Sequence, residues 1–175
     1  MELIDTLQRL DRVLFGVFYT RSNRHRLRSL ARTLSRSANG YLHALIPVVL
    51  MISGAPQASA LLGLLALSLL IERPLYWCSK NSFKRLRPAD ANPSIKSVIH
   101  AGDQFSFPSG HTSGAFLLAT SLVLVYGPLL GVMYLWSVMI AVSRVVLGVH
   151  YPGDTLAGAL MGVGVVLMAA MLLGG

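Results

Sequence analysis

The sequence predicts an all-α fold: a polytopic membrane helical bundle of about five spans, preceded by an N-terminal amphipathic helix lying in the interface. Three observations lead there. The 175 residues are 54% hydrophobic and 13% charged, against about 25% charged in a typical soluble domain, and mean hydropathy is +0.61. Charge is confined to blocks: none occurs between Arg36 and Glu72, between Asp103 and Arg144, or after Asp154. The apolar runs lack the period-2 alternation of barrel strands, which leaves helices as the way across lipid.

Two regions follow. Residues 1–38 form a basic, amphipathic arm, and residues 39–175 form the membrane-embedded domain. Leu3, Ile4, Leu7, Leu10, Leu14 and Phe15 recur at helical spacing. Asp5, Arg9, Asp11 and Arg12 make a crossing costly, so this helix is expected to lie flat. No apolar core with a small-residue cleavage site follows a basic start, so no removable signal peptide is expected. Arg21, Arg24, Arg26, Arg28, Arg32 and Arg36 complete the arm.

A span needs about 20 mostly apolar residues. The first runs from about Tyr41 to Ser53 and ends at the turn signal Gly54-Ala55-Pro56-Gln57. The second runs from about Ala58 to Trp77, with Glu72, Arg73 and Pro74 near its end. The third spans Ser109 to Tyr126, before Gly127-Pro128. The fourth covers about Leu129 to Leu147, and the fifth Asp154 to Leu173. A polar loop from Pro88 to Phe107 joins the second to the third.

Three blocks of chemistry sit at the ends of these segments: Lys80-x6-Arg87-Pro88, Pro108-Ser109-Gly110-His111, and Ser143-Arg144-x5-His150-x3-Asp154. Antiparallel crossings put all three on one face of the membrane. Their inventory suits phosphoryl transfer, whose developing charge needs fixed donors in a water-poor site. Lys80 offers a point charge, and Arg87 and Arg144 offer planar forks. Ser109 and Gly110 open a helix, whose free N–H groups favour anions. His150 is the expected nucleophile, Asp154 would accept a hydrogen bond from its other ring nitrogen, and His111 would shuttle the proton. This chemistry requires no metal and no cofactor.

These blocks resemble the signature of the type 2 phosphatidic acid phosphatase superfamily, which also includes bacterial acid phosphatases and vanadium haloperoxidases. The matching positions are Lys80, Arg87, Pro88, Pro108, Ser109, Gly110, His111, Ser143, Arg144, His150 and Asp154, and the likeness covers about residues 70–170. It implies an all-helical, metal-independent phosphatase with the roles given above. Membrane members usually have six spans and often face away from the cytoplasm; this chain departs, its first twenty residues being too charged for a sixth.

The expected activity is hydrolysis of a lipid phosphomonoester or diphosphate. Phosphatidic acid, phosphatidylglycerophosphate and polyprenyl phosphates or diphosphates are equal candidates. A phosphotransferase and a non-catalytic lipid-phosphate-binding protein are the alternatives. The partners are therefore the bilayer and a phosphorylated lipid. The net charge of +8 is clustered beside lipid-crossing segments, which argues against nucleic acid. A bacterial inner membrane is the expected location, with the site on the cytoplasmic face, because the arginine arm shares that face.

Other polar residues receive structural readings. Lys84, Arg85 and Lys96 read as cytoplasmic anchors, and His25, His43 and His100 as packing. Glu72 with Arg73 reads as a pairing or boundary feature. Cys78 reads as a small buried apolar residue. Gly158, Gly162 and Gly164, with Ala157, read as a close-packing helix face.

Overall fold

The computed structural model describes residues 2–21 and 25–174. Arg24 of the basic arm and the side chains of Leu3, Ile4, Asp5 and Leu7 lie outside that description. Helices account for the regular structure among the described residues, and no strand occurs there.

The apolar segments become the bundle. They are α3 (Tyr41–Ile52), α4 (Ala58–Phe83), α6 (Gly110–Tyr126), α7 (Val132–Val146) and α8 (Pro152–Gly174), with a short α5 (Pro88–Ala91) after α4. By length and composition three stretches can cross a membrane: Ala58–Ala91, Pro128–Val146 and Pro152–Gly174. Tyr41–Ile52 and Gly110–Tyr126 are shorter apolar helices. The chain is an integral membrane protein.

α6 is the axis of the bundle and packs on α4, α7 and α8. Thr112 to Leu122 are buried almost without interruption, the pattern of a helix surrounded on all sides. The main core joins Leu61, Leu64 and Leu65 of α4, Leu117, Leu118 and Leu122 of α6, and Val166 and Ala169 of α8. The closest approach is between α6 and α8. A Cβ at Gly158 would collide with the carbonyl of Ser109, and one at Gly162 with the carbonyl of Ser113. A Cβ at Gly164 would meet nothing within 4 Å, and that residue is exposed, so the small-residue contact is made by Gly158 and Gly162 without it.

α4 runs six residues past the expected end at Trp77, through Pro74 to Phe83, which places Lys80 on the helix rather than after it. A proline inside a membrane helix is tolerated because neighbours satisfy the freed carbonyl. Glu72 is fully buried, pairs with Arg73, and accepts a bond from Ser113 Oγ at 2.7 Å. α4 stops where Lys84 takes a left-handed conformation (φ 46°) and its N–H bonds the Lys80 carbonyl. Cys78 is exposed beside Trp77, not buried, because that face of α4 turns away from the bundle.

The arm folds as two helices, α1 (Glu2–Arg21) and α2 (His25–Ser37). α1 packs on α7 and α8, and α2 on α7. Phe15 of α1 is buried against Tyr151 and Val145. Tyr19 donates to the Lys96 carbonyl at 2.9 Å and accepts from the Lys96 N–H at 3.1 Å. Arg32 of α2 donates to the Val98 carbonyl. Both helices therefore grip the loops that carry the three blocks.

Candidate active site

The second block starts α6. Pro108, Ser109 and the first turn are pinned from α8, because the Ser109 N–H donates to the Asp154 carbonyl at 3.0 Å. Ser109 is fully buried, and its hydroxyl accepts from Thr112 Oγ1 at 3.0 Å. Gly110 is needed for packing: a Cβ there would lie 3.0 Å from the Tyr76 ring. His111 follows with its Nε2 3.0 Å from Asn39 Oδ1, in the turn between α2 and α3.

The third block ends α7. Arg144 is 4% exposed, and its Nη1 donates to Ser35 Oγ of α2 at 2.6 Å. The helix then closes at Leu147, and Gly148 reverses the chain with φ +77°. A side chain at that angle would be strained, and its Cβ would also press on the Tyr19 ring at 3.3 Å. The reversal brings His150 back beside Arg144.

His150 is 2% exposed. Its Nε2 lies 3.5 Å from Arg87 Nη1, whereas its Nδ1 faces Asp154 Oδ2 at 3.7 Å. That separation is longer than the expected hydrogen bond. The reason is local: Asp154 Oδ1 takes Arg85 Nη1 at 2.7 Å, and Oδ2 takes the Tyr151 N–H at 2.8 Å. The carboxylate nonetheless lies on the Nδ1 side of the ring. Burial pushes the His150 pKa down to about 4, with Arg144 and Arg87 adding to it and Asp154 opposing.

The first block completes the wall. Arg87 is 7% exposed; its Nη1 donates to the Val149 carbonyl at 2.6 Å, and its Nη2 pairs with Asp103. Lys80 is 6% exposed and donates to Asp103 Oδ2 at 2.6 Å and to the Phe105 carbonyl at 2.9 Å.

One cavity of about 420 Å3 joins these groups. Of the residues singled out in the sequence, Arg87, Gly110, His111, Arg144 and His150 line it. Lys80, Ser109 and Asp154 stand behind that lining. Tyr76, Arg73, His43, Asn39 and Asp103 also face the cavity. His43 holds Gly114, its Nε2 being 2.9 Å from that carbonyl.

Sequence reasoning missed several of these residues. Arg85 is no simple anchor: it bridges Asp154 and Asp11, the latter at 2.6 Å. Asp11 also accepts the Gly153 N–H at 2.7 Å. Ser35 and Asn39 carry no motif. Asp103 had one signal, as the sole carboxylate between Asp90 and Asp154.

Among the described residues no group of three or more His, Cys, Asp or Glu side chains is arranged to hold a metal ion.

Residues 57–173 match the model of the PAP2 superfamily. "Probable lipid phosphate phosphatase beta" of Arabidopsis thaliana is 30% identical over 155 residues, covering 73% of this chain and 72% of that protein. "Lipid A 4'-phosphatase" of Bacteroides thetaiotaomicron is 35% identical over 85 residues, which span 45% of this chain and 38% of that one. The crystal structure of Aquifex aeolicus LpxE superposes with a TM-score of 0.80 at 26% identity, covering 93% of this chain and 95% of the other. With the family match spanning all three blocks, the chain belongs to the PAP2 superfamily.

Proposed function

We propose that this protein is a membrane lipid phosphatase acting through a phosphohistidine. The observation that carries the reading is one cavity onto which the imidazoles of His111 and His150 and the buried guanidinium groups of Arg87 and Arg144 all open. Binding alone would need the cations, not an imidazole with a carboxylate facing its Nδ1.

Arg87, Arg144 and Lys80 would hold the phosphoryl oxygens, helped by the N–H groups that open α6. His150 Nε2 attacks phosphorus, and the ester bond to the lipid oxygen breaks. His111 gives that oxygen its proton. Water then attacks the phosphohistidine, His111 takes the water's proton, and the N–P bond breaks to release phosphate and restore His150. Asp154 steadies the positive charge on the His150 ring during both halves. Apart from the attacking water, the scheme uses only the protein's own side chains and backbone N–H groups, so turnover is expected to survive chelation of divalent metals.

The substrate would be a phosphomonoester or diphosphate of a lipid: phosphatidic acid, phosphatidylglycerophosphate or a polyprenyl (di)phosphate. The cavity supports a lipid, because its lining continues from the cations to Leu69 of α4, His43 of α3 and Gly114 of α6. These residues lie on apolar helices of the bundle. The contacts of the arm with the site's loops through Asp11, Tyr19 and Arg32 support a shared face for the arginines and the site, and the charge rule favours the cytoplasmic side of a bacterial inner membrane for both.

The test is phosphate release from a panel of lipid phosphates and diphosphates in detergent, with chelator present. Wild type is expected to release phosphate, vanadate to inhibit it, and His150→Ala and His111→Ala to abolish it. Turnover retained in His150→Ala refutes the nucleophile, and a phosphorylated acceptor in place of free phosphate identifies a transferase. Labelling of Ser94→Cys in intact cells by an impermeant thiol reagent refutes the cytoplasmic face.

A further inference from the structure

The anion cradle already holds an anion of the protein's own. Asp103 Oδ2 accepts from Tyr76 OH at 2.5 Å and from Lys80 Nζ at 2.6 Å, and Oδ1 pairs with Arg87 Nη2. Its backbone carbonyl takes Arg87 Nε at 3.2 Å. Two of the three cations assigned to the substrate phosphoryl group are thereby engaged. Burial opposes ionisation of this carboxyl, but Lys80, Tyr76 and Arg87 prevail and hold its pKa down to about 2.

The placement differs from that of a structural counter-ion. Lys80 and Arg87 are 7% and 8% exposed in their side chains, whereas Asp103 is 38% exposed and lines the cavity. It belongs to the loop before α6, not to a helix, and follows Gly102, where an added Cβ would meet open space. The cations are fixed, and the carboxylate has somewhere to go.

We propose that Asp103 is a tethered competitor for the oxoanion site, which a substrate phosphoryl group displaces and whose return expels product phosphate. The inference rests on the phosphatase reading above. A phosphomonoester wins the exchange because it brings up to two negative charges and three terminal oxygens to three cations, against one charge and two oxygens from the carboxylate. A monoanionic phosphodiester headgroup brings no charge advantage. Since the tether lowers every ligand's apparent affinity by one common factor, as any occluded fraction does, weakly held diesters fall below useful occupancy while monoesters remain bound. A bilayer crowded with diester headgroups makes that threshold useful. The same competition limits inhibition by the phosphate that hydrolysis leaves behind.

The test is Asp103→Asn, nearly isosteric but uncharged, with Asp103→Ala beside it. Inhibition constants are measured for inorganic phosphate and for the diester phosphatidylglycerol in mixed micelles, with KM and kcat for the hydrolysed monoester. Both inhibition constants are expected to fall by the same factor, at least tenfold, with KM falling alongside and kcat not rising. Inhibition constants that rise or stay unchanged overturn the proposal and leave Asp103 as a scaffold for Lys80 and Arg87. If neither variant folds, as judged by thermal unfolding in detergent, the carboxylate is a structural element and the proposal is likewise overturned. Should the wild type hydrolyse no lipid phosphate, the phosphatase reading fails, while calorimetric binding of inorganic phosphate to wild type and Asp103→Asn still decides the competition.

Discussion

Adding one methyl group to the contact between α6 and α8 should damage the site from a distance. A Cβ at Gly162 would lie 2.9 Å from Leu117 N and closer still to the Ser113 carbonyl; one at Gly158 would strike the Ser109 carbonyl and come within 3.3 Å of Ser113 N. Carbon contacts normally settle near 3.5–4.0 Å, so the helices must part by roughly 0.5–1 Å. The obstacle is backbone, which no rotamer change relieves. Overpacking of this kind costs about 1–3 kcal/mol, and alanine regains up to about 1 kcal/mol of helix propensity. The net loss is on the order of 1–2 kcal/mol, or a fall in Tm of roughly 2–8 °C for a chain of this size. Activity should suffer more at Gly158, whose clash lies two residues from His111 and four from Asp154. A shift approaching 1 Å in catalytic geometry costs up to about a hundredfold. Gly164→Ala, on the open side of the same helix, is the internal control and should be neutral or slightly stabilising. The assay is thermal unfolding in detergent with phosphate release on the same samples. If Gly158→Ala and Gly162→Ala behave like Gly164→Ala, the close approach of α6 and α8 is refuted.

Three further predictions use other parts of the site. Ser35→Ala removes the acceptor of Arg144 Nη1; loss of a hydrogen bond to a charged group, worth about 1.5–3 kcal/mol, should lower kcat/KM by one to two orders of magnitude, and a value within twofold of wild type refutes Ser35 as the group that aims Arg144. His150 is pushed down to about 4, so its neutral, attacking form should persist well below pH 6, and the acid limb of kcat/KM from this group should lie near pH 4. The unfolded chain binds that proton first, so His150 should leave stability unaffected above about pH 6.5 and lower it as pH falls from there towards 4, a slope that His150→Gln should reduce in unfolding scans. Arg85→Gln leaves Asp154 and Asp11 without their shared cation; breaking a buried pair costs about 3–5 kcal/mol, with a discount for the quarter-exposed Arg85, so Tm should fall by several degrees with phosphate release dropping at least tenfold, and an unchanged Tm refutes the bridge.

The spans and the three blocks were legible because each rests on a local signal. Long uncharged runs can be counted, and a signature is read from spacing. Lys80, Arg87, His111, Arg144 and His150 converge because the order of the spans leaves them little choice. What stayed hidden was long-range and polar. Ser35 meets Arg144 across 109 positions, and Asn39 meets His111 across 72. No periodicity marks such pairs, because each side chain is ordinary until a distant partner arrives. Arg85 looked like an anchor since nothing near it in sequence is acidic on the correct side. The hydrogen bond expected between His150 and Asp154 followed from their spacing of four, which is blind to Arg85 and to the Tyr151 N–H competing for the same oxygens.

The bridge from Asp11 to Arg85 and to the N–H of Gly153 also has a bearing on biosynthesis. Asp11 and Gly153 are 142 positions apart, and Asp154, which shares Arg85 with Asp11, lies in the first turn of α8. A ribosome delivers these helices in order, so the clasp made by the first cannot shut until the eighth has left the translocation machinery. Nascent chains, however long they dwell half-inserted among lipids, carry the guanidinium groups without the groove's final wall. Catalytic competence is acquired in one late step rather than accumulated helix by helix.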